Sequence, residues 1–223
     1  MGGFFGAASR KSCKYDVFFG TDYHSHLGTK RGGLAFYDPD KGFQRQIHNI
    51  ENTPFRTKFE SDLEKFSGCY GLGCISDTDP QPLLVRSHLG LFAISTVGII
   101  TNAEELVEKT FSGPGYQFMA MSSGKVNATE LTAALINRCD NLIDGIRYAQ
   151  AAIEGSCTIL ILNRDGLIAA RDSMGRLPIV IGQSEKGCCA AMESFACQKL
   201  GYKPSYNLGP GEIVRITPDG WQQ

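Results

Sequence analysis

Ten short runs of β-branched, aromatic or small apolar residues punctuate this chain, each closed by Gly, Asn, Asp or Pro. They span 3–8, 33–37, 69–76, 83–87, 91–100, 157–163, 166–171, 178–182, 187–192 and 212–217. Runs of this length and punctuation read as strands. Two pairs sit close enough to form hairpins. Residues 83–87 reach 91–100 through His88-Leu89-Gly90, and 159–163 reach 167–171 through Arg164-Asp165-Gly166, whose Asp-Gly step favours a tight turn.

Four segments carry a helical pattern. The first covers Asp16–Leu27. The second, Ala103–Thr110, follows Asn102 with Glu105 three positions on, the capping-box spacing, and Asn127 with Glu130 repeats that device before Leu131–Arg138. The fourth, Leu142–Ile153, places Ile143, Ile146, Ala149 and Ile153 on one face and ends at Gly155. Strands and helices come in blocks rather than in strict alternation. The expectation is therefore an α+β fold of antiparallel sheets covered by helices. Neither an internal repeat nor a linker divides residues 1–223, so a single domain is expected.

Composition narrows the function. A net charge of −1 gives no electrostatic reason to expect nucleic acid or an anionic membrane as partner. The most apolar stretch, 83–101, is broken by Arg86, His88 and Gly90, so no membrane span is expected. Eight cysteines follow neither a secreted disulfide scaffold nor a metal knuckle, and the adjacent Cys188 and Cys189 read as buried structural thiols. His24 and His26, two apart, would face different sides of a helix, so no metal site is expected. These features describe a cytoplasmic protein with reduced thiols.

The opening Met1-Gly2-Gly3-Phe4-Phe5-Gly6 resembles the M-C-G-I-F-G that begins class-II glutamine amidotransferase domains, the N-terminal half of amidophosphoribosyltransferases. Further anchors follow in the same order. Phe18-Phe19-Gly20 stands for Y-Y-G, and Gly71-Leu72-Gly73 for the G-I-G before H-V-R. Gln81-Pro82-Leu83 matches Q-P-L, and Thr101-Asn102-Ala103 matches the T-N-A that starts a helix. Arg171-Asp172-Ser173-Met174-Gly175-Arg176-Leu177-Pro178 matches R-D-P-x-G-x-x-P, and Pro210-Gly211-Glu212 matches P-G-E. The resemblance implies an Ntn-hydrolase fold, a four-layer αββα sandwich of two antiparallel sheets. It also implies a purine-biosynthesis role, a C-terminal phosphoribosyltransferase domain, self-association into a homo-oligomer, and no cofactor. No acidic loop for phosphoribosyl pyrophosphate occurs within the chain, so that second domain is expected to lie outside it.

The resemblance further implies a site, and the residues at its positions are unexpected. Glutamine hydrolysis needs a nucleophile with a nearby base, which an N-terminal cysteine supplies through its thiol and its own α-amine. Gly2 holds that position and has no side chain. The family's oxyanion strand reads H-N-G-N; here Thr96-Val97-Gly98-Ile99 replaces the donating Asn with Val97, leaving only the backbone N–H of Gly98. The Arg that grips the substrate carboxylate becomes Ser76, and the Asp that holds its amine becomes Ala128. Loss of a nucleophile typically costs on the order of 10⁴–10⁶ in rate. The chain is therefore expected to keep the fold and a remodelled pocket at Ser76, Thr96, Val97, Gly98 and Ala128, with no catalytic residue. Phe4, Phe5, Phe18 and Phe19 are expected to pack the core and to fill space left by the lost site. Arg171, Asp172 and Arg176 are expected to shape a turn. The competing reading is an active glutaminase in which processing exposes Cys13, with Arg10, Lys11 and Lys14 lowering its pKa.

Overall fold

The computed structural model describes residues 2–111, 121–122 and 125–223; Met1, which opens the first motif, lies outside the described residues. Seven strands form one sheet: β1 (Gly2–Ser9), β2 (Arg31–Asp38), β3 (Gly42–Asn49), β4 (Tyr70–Ser76), β11 (Val180–Ser184), β12 (Gly187–Ala191) and β13 (Lys203–Asn207), in the order β13-β11-β12-β1-β4-β2-β3. Six form the second: β5 (Leu83–Ser87), β6 (Gly90–Ile100), β9 (Gly155–Asn163), β10 (Gly166–Ala170), β14 (Ile213–Thr217) and β15 (Gly220–Gln222), in the order β15-β14-β10-β9-β6-β5. The short β7 (Met121–Ser122) and β8 (Lys125–Val126) pair with each other. Every pairing is antiparallel, and both expected hairpins form, with Leu83 opposite Ile94 and Gly166 opposite Asn163.

Alternation along the strands builds the layers. Phe4 and Ala8 point between the sheets, with Leu72, Leu160, Leu162 and Ile181, while Phe5 and Ala7 point to the opposite face of the first sheet. That outer face is covered by α1 (Lys14–Asp22), α2 (Phe55–Phe59) and α6 (Ser194–Lys199), through Phe18, Phe55, Phe59 and Cys197. On the far side of the second sheet, α3 (Ala103–Phe111), α4 (Ala128–Ile136) and α5 (Leu142–Ala152) bury Leu106, Leu131 and Ile146 against Phe92, Ile94 and Ile161. The result is the four-layer αββα sandwich. Each such fully buried aromatic or aliphatic side chain contributes about 1.5–3 kcal/mol of transfer free energy. No helix among the described residues is long and apolar enough to cross a membrane.

Local chemistry changes two expected helix ends. The first helix stops at Asp22 instead of Leu27, followed by a separate 3₁₀ turn over Ser25–Leu27. His24 causes the break. Its backbone N–H donates to Thr21 O rather than Gly20 O, and its ring Nδ1–H takes the Gly20 carbonyl at 2.6 Å. Asn102 does not cap its helix as expected, because its amide is turned to the end of α5, donating to Ala152 O and accepting from Glu154 N–H. Asn127 caps as expected, its Oδ1 accepting from the N–H groups of Thr129 and Glu130.

Candidate functional site

Gly2, Ser76, Thr96, Val97, Gly98 and Ala128, distant in sequence, line one cavity of about 210 Å³ between the ends of the two sheets. Two neighbouring strands deliver the first pair, since β1 and β4 run antiparallel with Gly2 opposite Ser76. The strand β6 delivers Thr96–Gly98, and the first turn of α4 delivers Ala128. A larger open groove of about 750 Å³, between His88, Asp140 and Trp221, contains none of these residues.

Hydrogen bonds hold the cavity wall in register. Gln81, buried, reaches across so that its Oε1 accepts from Thr96 N–H at 2.7 Å. The Thr96 and Thr129 hydroxyls bond each other at 2.6 Å, tying β6 to α4. The Ser76 hydroxyl accepts from Thr78 N–H at 3.2 Å, and so closes the loop after β4.

Two glycines sit where backbones approach too closely for a side chain. A Cβ built on Gly2 would stand 2.3 Å from the carbonyl oxygen of Ile75, and one on Gly98 would stand 1.9 Å from that of Ser156. Both obstacles are strand backbone, which cannot swing aside as a side-chain tip can. The Val97 side chain belongs to the core between the sheets and brings no donor to the cavity.

The ionisable side chains lining the cavity are Asp79, Cys157 and Arg176. Cys157 is not an activated nucleophile: burial, reinforced by the nearby Asp172, pushes its thiol up to about 11, and its sulfur lies 3.5 Å from the Thr132 hydroxyl. Arg176, assigned to a turn by sequence, does shape that turn through its backbone N–H, which donates to Asp172, and it is also one of the residues that line the cavity. Asp79 carried no sequence signal beyond its place in the Asp77-Thr78-Asp79-Pro80 loop; only the fold brings it to the first turn of α4.

One expectation and the competing reading of Cys13 are answered here. The four phenylalanines do not fill the cavity. Phe4 packs between the sheets, Phe5 and Phe18 pack beneath the helices with Phe19 against them, and the space beside Gly2 stays open. Cys13 is not an activated thiol. It is fully buried, its Sγ faces Gly68 O at 3.6 Å, and burial, reinforced by the nearby Asp16, holds its pKa well above the ordinary value despite the neighbouring lysines. Nor does it line the cavity.

Residues 58–197 match the family described as glutamine amidotransferase domain, and the chain belongs to that family. Within it, the chain is similar to the amidophosphoribosyltransferase of Methanocaldococcus jannaschii, 28% identical over 228 residues that cover 97% of this chain and 47% of the relative. The Escherichia coli amidophosphoribosyltransferase is 24% identical over 242 residues, covering 99% of this chain and 47% of its own length. Among solved structures, the fold matches the glutamine phosphoribosylpyrophosphate amidotransferase from B. subtilis complexed with ADP and GMP, with a TM-score of 0.85 and 24% identity over 99% of this chain and 48% of that one. The chain thus spans about half the length of the curated relatives it matches.

Proposed function

We propose that this chain is the amidotransferase-like domain, 1–223, of a purine-biosynthesis protein of the amidophosphoribosyltransferase type, and that its glutaminase chemistry has been lost. In this reading it serves as a structural, regulatory or ligand-binding module beside a phosphoribosyltransferase domain, in a cytoplasmic oligomer. One observation carries the reading. The nucleophile's position is Gly2, which has no side chain and faces a backbone carbonyl that leaves no room for one. The rest of the machinery agrees. An acyl-transfer site needs a donor set for the oxyanion and a charge to orient the substrate. Here Val97 offers no donor, and Ser76 and Ala128 offer no charge. An engineered trap would change one of these positions; four changes with the structural anchors kept fit natural loss.

The test is ammonia release from glutamine by the purified full-length protein, with intact-mass analysis of the same sample. No ammonia above the uncatalysed background and no added γ-glutamyl mass are expected. A γ-glutamyl adduct on any residue would overturn the reading.

A further inference from the structure

Two thiols remote from the cavity meet in the core. Cys189 lies in β12 and Cys197 in α6, the six-residue helix on the outer face of the seven-stranded sheet. Both side chains are fully buried there, and the Cys189 thiol donates to the Cys197 sulfur at 3.5 Å. Register selects this pair. Successive residues of a strand face opposite sides, so Cys188 points between the sheets and Cys189 toward α6. Other buried thiols have different neighbours: Cys13 Sγ faces Gly68 O, and Cys157 Sγ faces the Thr132 hydroxyl.

The neighbouring strand makes space for the two sulfurs. On β11, Gly182 stands opposite Cys189. A Cβ there would lie 2.9 Å from the Cys189 Sγ and 3.1 Å from the Cys197 Cβ, so a side chain at 182 would crowd both residues. A disulfide bond of about 2.0 Å requires the sulfurs to close by about 1.5 Å. The hydrogen bond from Cys189 also holds the Cys197 thiol below its ordinary value, against the opposing effect of burial. That favours the thiolate, which is the reactive form. Access comes through α6. A six-residue helix has little stability of its own and is held by its packing, so it opens locally at lower cost than the sheet beneath it. Its outer side already meets solvent at Phe195, which is 43% exposed.

We infer that Cys189 and Cys197 form a dithiol that peroxide oxidises to a disulfide, stapling α6 to β12. The Cys197 thiolate attacks one oxygen of hydrogen peroxide, the O–O bond breaks, and the departing hydroxide takes up a proton to become water. The Cys189 sulfur then attacks the Cys197 sulfenic acid, and its proton leaves with the sulfenic hydroxyl as a second water. In sum, two thiols give up two electrons and two protons to one peroxide. A dithiol reductant reverses the bond by exchange. Neither thiol lines the cavity beside Gly2.

The test is treatment of the folded full-length protein with excess hydrogen peroxide, followed by denaturation, alkylation and tryptic mapping. Cleavage after Lys186 and Lys199 releases 187–199, which contains Cys188, Cys189 and Cys197. Without peroxide, this peptide is expected to carry an alkyl group on each of them. After peroxide, fragmentation is expected to find one alkyl group, on Cys188, and a bond between the other two. Dithiothreitol before alkylation restores all of them. Cys188→Ala is expected to leave the bond in place, and Cys189→Ala or Cys197→Ala to abolish it. Three results overturn the inference: all thiols alkylated after peroxide, sulfinic or sulfonic acid in place of the bond, or a bond that includes Cys188 or survives Cys197→Ala. The parent peptide decides by itself should an alanine variant fail to fold.

Discussion

Arg171 and Arg176 belong to the same turn and live under opposite conditions. The Arg171 guanidinium is spent on three carbonyls, those of Gly175, Leu177 and Leu208, and it pins the turn to the segment that leads from β13 to β14. Glu212 secures the far side of that segment, accepting from Gly209 N–H and the Tyr206 hydroxyl. The Arg176 side chain has no such partner among the described residues, and the residue stands at the cavity. Within that anchor the Arg171 side chain is bonded through all three of its nitrogens, so substitution there would strand three acceptors at once. Around Gly2 the cavity is lined in part by Val97 and Ala128, whose side chains make no hydrogen bond that a substitution would break. On the reading proposed above, this difference would let a family's framework persist while its reactive residues are replaced.

The sharpest way to break that contrast is Arg171→Ala. It leaves three carbonyls without donors, and urea denaturation is expected to show a loss of about 3 kcal/mol or more. Next comes Gly2→Cys, which restores the family's residue but sets a Cβ 2.3 Å from Ile75 O. A destabilisation of about 1–3 kcal/mol is expected, with no gain of ammonia release; a stable variant that hydrolyses glutamine would refute the account of the site.

Acid should affect the bonded regions next. Gly209 N–H and the Tyr206 hydroxyl hold Glu212 below the usual carboxylate range. Burial pushes Asp62 up, but hydrogen bonds from Lys65 and His48 outweigh it and leave its pKa lowered. Both folded-state values are depressed. Their stabilisation is therefore complete above the unfolded value of about 4 and lost as pH falls through the folded ones. Midpoints of urea unfolding measured downward from pH 6 should fall mainly below about pH 4, and flattening of that decline in Glu212→Gln would identify its share. The smallest effect belongs to Arg176→Ala, expected within about 0.5 kcal/mol of the parent. A larger loss would mean that this arginine serves the turn with its side chain after all.

Much of the fold was legible because alternation and turn residues are local signals. Five strands escaped: the two-residue β7 and β8, and β3, β13 and β15, each an edge of one of the two large sheets. An edge strand has solvent on one flank and is kept polar against unwanted pairing. Gly-Phe-Gln-Arg-Gln-Ile-His-Asn and Lys-Pro-Ser-Tyr-Asn therefore lack the β-branched density that marks interior strands. The fourth edge, β5, was readable from its tight hairpin with β6. The short helices α2 and α6 were missed for a related reason, since five or six residues give no room for a helical period to declare itself.

The chain's own order of residues determined the sandwich. Neighbouring side chains such as Phe4 and Phe5 must face opposite sides of a strand, so the pattern dictates layers wherever the strands pair. It also determined which residue stands at each family position. Only the tertiary structure decided that the space beside Gly2 stays open, that a carbonyl of the neighbouring strand bars a side chain there, and that Asp79 and Arg176 line one cavity. Those facts depend on where residues far apart in the chain come to rest, and long-range placement is set by packing of the whole core, which no local pattern encodes.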